Sequence, residues 1–239
     1  MNHLTIRRPD DFHIHFRRGA ILQEVVPFTS RVFARAMVMP NTDPPILNGE
    51  DVILYREEIL TACKGHGFEP LMTFKITPET TVQDVRSAKG SGAIAGKLYP
   101  DGVTTGSEDG VRDFDALDPI FEEMAKQNLV LSVHGEMPAP VYCMDREGRF
   151  LDILRDIAQR HQNLRIVLEH ISSANGVDTV LDLPTNVAGT ITAHHLELTT
   201  DDILGDLLRP HNFCKPVAKR PEDRQALRQA AVGGTSKFF

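Results

Sequence analysis

Tryptophan is absent, and cysteine is nearly so. Cys63, Cys143 and Cys214 are the only thiols in 239 residues. They are too few and too scattered for a disulfide framework or a CxxC zinc knuckle. A reducing cytoplasm is the expected setting. An excess of positive charge is also missing. Twenty-six Lys and Arg stand against 33 Asp and Glu, for a formal net charge of −7. That balance argues against a nucleic-acid partner or an anionic membrane surface, both of which favour a basic face. No apolar run approaches the ~18 residues needed to span a bilayer. The first residues, Met1 to Pro9, carry charge with no apolar run behind it, which argues against a secretory signal. No Pro/Gly/Ser-rich linker, low-complexity tract or short repeat interrupts the chain, so one domain over residues 1–239 is expected. What the sequence does hold in quantity is histidine, with 10 residues.

Short apolar runs alternate with longer amphipathic segments. The expected strands are Asp11–Phe16, Arg35–Met39, Pro70–Ile76, Ala93–Tyr99, Leu129–His134, Arg165–His170 and Val187–Ala193. Most are near-continuous in aliphatic residues, as parallel strands covered on both faces are. Helical patterns lie between them. Asp51–Cys63 sets Val52, Tyr55, Ile59 and Cys63 on one stripe. Thr77-Pro78-Glu79 resembles a helix cap followed by proline at the first helical position. Asp115–Asn128, Phe150–His161 and Glu222–Ala231 complete the set, and Lys237-Phe238-Phe239 opens an eighth apolar run. Alternating strand–helix units imply a parallel α/β sheet. Eight of them imply a (β/α)8 TIM-type barrel, here incomplete at the eighth strand. A doubly wound open sheet would favour a Gly-rich phosphate turn after its first strand, and none is present.

Asp11-Phe12-His13-Ile14-His15-Phe16-Arg17 is the strongest local signal. Side chains alternate along a strand, so His13, His15 and Arg17 would share one face, and Phe12, Ile14 and Phe16 the other. Two imidazoles at i and i+2 can bind one metal ion. The alternative is a pair of surface histidines on an edge strand, which the apolar neighbours disfavour. Two further strands end in His134 and His170, at the carboxyl end where barrel active sites lie. Lys97 sits inside the apolar strand Ala93–Tyr99, where an ammonium is costly. It could snorkel to the rim, act as a Schiff-base amine, or take up CO2 to become a carboxylate able to bridge two metals. His194-His195, in extended chain, would point opposite ways, which favours a structural or supporting role. His3, His66, His161 and His211 are expected in solvent.

Taken with their flanks, these segments resemble the amidohydrolase superfamily. The closer similarity is to the monofunctional, class II type of dihydroorotase. It rests on Asp11–Arg17, Met39-Pro40-Asn41-Thr42, Gly96-Lys97-Leu98-Tyr99-Pro100, Val133-His134-Gly135-Glu136, Leu168-Glu169-His170-Ile171-Ser172 and Cys214-Lys215-Pro216-Val217. The resemblance implies two Zn2+ ions per subunit. His13 and His15 would hold the first, His134 and His170 the second, and a carboxylated Lys97 would bridge them as the catalytic centre. It also implies substrate contacts from His15, Arg17, Asn41 and His134, from Thr104 and Thr105 on a mobile loop, and from the backbone of Lys215. The implied reaction interconverts N-carbamoyl-L-aspartate and dihydroorotate plus water in pyrimidine synthesis, in a cytoplasmic homodimer with a small-molecule substrate.

The family's remaining site residue is an aspartate at the end of the eighth strand. It would fall beyond Phe239, so the sequence is expected to be a fragment of a complete enzyme, or else a truncated product that has lost activity, with little turnover of its own. Glu136 and Glu169 flank metal histidines, and alternation turns Glu169 away from them. Two other readings are a hydantoinase or allantoinase type of cyclic amidase and an inactive dihydroorotase-like scaffold. Arg17 and Asn41 disfavour the first, because they suit a substrate carboxylate. The filled ligand positions disfavour the second.

Overall fold

The computed structural model describes residues 3, 5–63, 65 and 67–239. The expectation for His66 lies outside them. The chain forms two compact units, one of residues 1–76 and 80–97, the other of residues 77–79 and 98–239. No helix among the described residues is long and apolar enough to cross a membrane.

In the first unit, β1 (Asp10–Ile14), β2 (Arg35–Val38) and β3 (Glu69–Ile76) pair in parallel in chain order. Ile14 stands beside Val38, and Val38 beside Met72. α1 (Gly19–Val32) joins β1 to β2. It buries Leu22, Val26, Thr29 and Ser30 and tolerates Pro27 in its interior. α2 (Gly49–Ala62) opens on a capping box in which the Asn48 side chain accepts the Glu50 and Asp51 amides. Its expected stripe is present, since Val52, Tyr55, Ile59 and Cys63 are all buried. Two corrections follow. Thr77-Pro78-Glu79 is a turn, and α3 (Val82–Gly90) begins later, capped by Thr81 with Asp84 in return. Phe12 does not share the burial of Phe16. Phe12 is 39% exposed, whereas Phe16 is wholly buried with its ring 6.2 Å from that of Phe68. β4 (Ala95–Leu98) is buried along its whole length.

In the second unit, β5 (Val130–His134), β6 (Arg165–Glu169) and β7 (Val187–Gly189) again pair in parallel and in chain order. Phe238 bridges in parallel to Gly189, and the Ile191 amide donates to the Phe239 carbonyl at 3.0 Å. The apolar run at residues 237–239 thus lies beside β7, where an eighth strand belongs. The helices are α4 (Asp118–Lys126), α5 (Arg146–Arg160), α6 (Ala174–Asp182), the short α7 (Ala193–Glu197) and α8 (Asp201–Leu204), and α9 (Pro221–Val232). The strand expected over Val187–Ala193 stops at Gly189, because Ala193 already starts α7. His161 is not in solvent. Its side chain is 8% exposed, with Nε2 2.8 Å from an Asp118 oxygen and the ring edge-on to Phe121. His3 and His211 are exposed as expected.

Close approach of helices depends on small residues at particular points. A Cβ on Gly49 would lie 2.4 Å from the Ser87 carbonyl oxygen, a backbone atom of α3. Overpacking of this kind costs typically about 1–3 kcal/mol. Gly49→Ala should therefore lower the thermal midpoint by several degrees in a calorimetric scan, while Gly148→Ala, which meets nothing within 4 Å, should not.

Candidate metal centre

The site residues divide between the units. His13, His15, Arg17, Asn41 and Lys97 belong to the first; Thr104, Thr105, His134, His170 and Lys215 belong to the second. In the first unit, the Nε2 atoms of His13 and His15 are 3.1 Å apart. Two nitrogens on a tetrahedral zinc, each bonded at ~2.0–2.1 Å, lie about 3.3 Å apart. The pair therefore already has the spacing of two ligands on one ion. Its origin differs from the alternation expected. β1 ends at Ile14, His15 lies past the strand, and Arg17 takes a left-handed backbone with φ +60°. Arg17 does not continue a strand face. The Tyr55 hydroxyl donates to its carbonyl at 2.7 Å and holds the turn. Arg18 leans outward, paired with Glu58 at 2.9 Å and lying over the Tyr55 ring.

Asn41 is 6% exposed in the loop after β2. Lys97, near the carboxyl end of β4, is wholly buried. Removal from water pushes its ammonium pKa well below the ordinary lysine value. The neutral amine is the form that can add CO2. The snorkelling alternative is excluded, because no part of the side chain reaches solvent.

In the second unit the rings of His134 and His170 meet edge to face with centroids 4.7 Å apart. His134 Nε2 lies 2.8 Å from Glu136 Oε2, both side chains almost fully buried. A carboxylate only accepts, so Nε2 carries the proton and Nδ1 carries the lone pair. Glu136 thus selects the tautomer that leaves the Nδ1 lone pair for an electrophile, as carboxylates behind zinc histidines do. His170 lies one residue past β6 with φ +43°. A non-glycine residue there is strained, and such strain persists only where neighbours over-determine the turn. Here the His170 amide donates to Thr190 Oγ1 at 2.7 Å, and the Ile171 amide donates to the Thr190 carbonyl at 2.9 Å. Because His170 leaves the strand, alternation does not carry across from Glu169. A carboxylate oxygen of the buried Glu169 and a ring nitrogen of His170 lie within 4.8 Å. Glu169 is therefore a possible donor that the alternation argument had turned away.

Thr104 and Thr105 sit in a tied turn. Ser107, fully buried, accepts the Thr104 amide at 2.9 Å and donates to its carbonyl at 2.6 Å. Lys215 is half-buried, and Pro216 to Lys219 behind it are buried. His195 locks that segment. Its Nε2 donates to the Pro216 carbonyl at 3.0 Å and its Nδ1 accepts from Thr192 at 2.7 Å. The structural role expected for the histidine pair holds for His195, though both residues lie in α7 and not in extended chain. Burial drives the His195 pKa down to about 3.

No family model matches the chain. A dihydroorotase of Allorhizobium ampelinum is 49% identical over 243 residues, covering all of this chain and 69% of that protein. The chain belongs to the dihydroorotase family. The dihydroorotase of Campylobacter jejuni superposes with a TM-score of 0.92 at 40% identity, over 97% of this chain and 68% of that one. The Saccharomyces cerevisiae dihydroorotase in complex with 5-fluoroorotic acid gives 0.89 at 38%, over 97% and 67%. An L-hydantoinase of Arthrobacter aurescens, at 0.80 and 18% identity, shares the fold alone, over 95% of this chain and 55% of that one. The fold class is accordingly the (β/α)8 barrel, with seven strands assigned among the described residues.

Two outcomes follow. Glu136→Gln removes the carboxylate that fixes the His134 tautomer, and zinc affinity measured against a chelating indicator should fall about 10–100-fold. His195 gives a pH signature. It stays neutral when folded down to about pH 3, while the unfolded histidine protonates near 6.5. Between those values the unfolded chain binds more protons, so stability rises with pH and is lost on acidification below 6.5. The slope is at most about 1.4 kcal/mol per pH unit for one group. In His195→Gln, urea midpoints should vary less over that window, and a profile parallel to the parent's would refute the assignment.

Proposed function

We propose that this chain is the metal-bearing domain of a dihydroorotase, which interconverts N-carbamoyl-L-aspartate and L-dihydroorotate plus water. In this reading residues 1–239 act as one barrel domain holding two Zn2+ ions. His13 and His15 would hold the first ion, His134 and His170 the second, and Lys97, as its N-carboxyl derivative, would bridge them. The observation that carries the reading is the 3.1 Å approach of the His13 and His15 nitrogens. Imidazole and carboxylate donors suit zinc in its open, catalytic type of site.

When bound, the ions would supply an activated water near neutral pH and polarise the ring carbonyl. The chain's own residues do the rest. Arg17 offers a planar fork of donors to the substrate carboxylate, and the Asn41 amide adds another. His15 and His134 would contact the substrate beside the ions. Thr104 and Thr105 would close over it, with Ser107 fixing the base of their turn. Lys215 would contribute backbone groups, so its side-chain identity should matter little. Lys97, as a neutral amine, would add CO2 and release one proton, which turns an uncharged buried amine into a carbamate anion suited to metal cations. That yeast dihydroorotase binds 5-fluoroorotic acid, a ring acid, supports a carboxylate-reading site. A cytoplasmic homodimer belongs to the same proposal.

Elemental analysis should find two zinc ions per chain. Dihydroorotate should bind the loaded protein at least tenfold more tightly than hydantoin or allantoin, which lack the carboxylate. Arg17→Met should remove that preference while leaving the zinc content unchanged. A metal-free protein, or equal affinity for rings with and without a carboxylate, would overturn the reading.

A further inference from the structure

A second set of polar side chains is buried just behind His170. Glu147 on α5, Ser172 and Ser173 after β6, and Lys219 before α9 are exposed by only 2%, 1%, 7% and 5%. Lys219 Nζ donates to Ser172 Oγ at 2.8 Å, and Ser172 Oγ donates to Glu147 Oε2 at 2.6 Å. The same carboxylate oxygen accepts the Ser172 amide at 2.8 Å. Glu147 Oε1 accepts from the Ser173 hydroxyl, whose oxygen also caps α6 by accepting the Gly176 amide at 3.1 Å. A Cβ on Gly176 would lie 2.7 Å from Glu147 Oε1, so the helix must approach the carboxylate without a side chain between them.

An ammonium and a carboxylate joined through one hydroxyl are expensive to bury, and stability alone gives little reason to keep them. Their placement supplies one. The amides of His170 and Ile171 are fixed by Thr190, and that of Ser172 by Glu147. Three successive amides therefore have assigned acceptors across the left-handed turn at His170. Lys219 extends the network to the segment that carries Lys215. Thr200 grips the same segment, its hydroxyl donating to the Ala218 carbonyl at 2.8 Å and its amide to the Lys219 carbonyl at 2.8 Å. We infer that Glu147, Ser172 and Lys219 form a positioning relay, which holds His170 in its metal-binding orientation and ties it to the substrate-contacting segment 215–219. The inference rests on the dihydroorotase reading for the roles of His170 and Lys215.

The test compares Glu147→Gln, Lys219→Met and the double variant. Each single change strands one buried charge, and the double change removes both. Restored charge balance should return most of the thermal stability to the double variant. Its zinc affinity, by chelator competition, should stay about 10–100-fold below the parent's, as when a partner behind a ligand is lost. Amide exchange at Ile171, Ser172 and Ser173 should be at least tenfold faster than in the parent while the core of β5 and β6 is unchanged. If zinc affinity and these amides recover together with stability, the network is merely structural and the inference falls. If the parent itself takes up no zinc, the dihydroorotase reading fails instead, and the exchange rates alone decide whether the relay fixes the turn.

Discussion

An amine held wholly out of water is the constraint on which the proposed centre depends. Lys97 has no exposed surface, and burial disfavours its ammonium form. A charged group in such a place is paired, neutralised or chemically altered, since an isolated buried charge costs far more than one domain's net stability can absorb. In the proposed reading, conversion to a carbamate would meet the constraint with metal cations close by, and neutral imidazoles bind cations without adding charge of their own. Under that proposal the histidines and the lysine would answer one electrostatic requirement. Within each unit the pairs are already close, His13 and His15 at 3.1 Å between their nitrogens and His134 and His170 edge to face.

Much of this was legible in the sequence, for a physical reason. Parallel strands covered on both faces read as aliphatic runs, so a polar residue in or just after such a run stands out. All seven strands begin within two residues of the expected start, and β2, β6 and β7 begin at the expected residue. The candidate site residues stand out by the same contrast. What did not follow was the backbone at the strand ends. Alternation placed Arg17 on one face with His13 and turned Glu169 away from His170. Both inferences assumed that the strand continues, and it stops at Ile14 and at Glu169. Left-handed residues such as Arg17 and His170 carry no compositional mark when they are not glycine. α1, implied by the strand–helix alternation, carries no clear stripe because Pro27 interrupts its pattern, and the cap lies not at Thr77-Pro78 but four residues on, at Thr81 with Asp84.

The buried polar network was invisible for a different reason. Glu147 and Ser172 are 25 residues apart, and Ser172 and Lys219 are 47 apart. No periodicity links them, and each alone reads as an ordinary surface residue of a helix or loop. Desolvation pushes the Glu147 pKa up, while Lys219 and the two serines pull it back down. Those opposing effects exist only once the three segments are assembled. Sequence patterns report the faces that elements bury; they do not report which loops must be pinned to one another.

That distinction bears on where precision in such a site comes from. A strand fixes its own residues through the ladder, but both His15 and His170 lie just beyond their strands. Their orientation must be supplied by groups outside the sheet. For the first turn the Tyr55 hydroxyl holds the Arg17 carbonyl; for the second, Thr190 and Glu147 collect three amides in a row. Each of these anchors is itself buried, Tyr55 on α2, Glu147 on α5 and Thr190 just past β7, so the rigidity of the core is passed to His15 and His170 through a few hydrogen bonds. Loss of one such bond costs little in folding energy, roughly 0.5–1.5 kcal/mol for a typical neutral pair. It costs more in metal affinity, because a donor displaced from an ion's coordination shell loses most of its contribution. The two quantities need not move together, and their separation is what distinguishes a residue that aims a ligand from one that only helps the chain to fold.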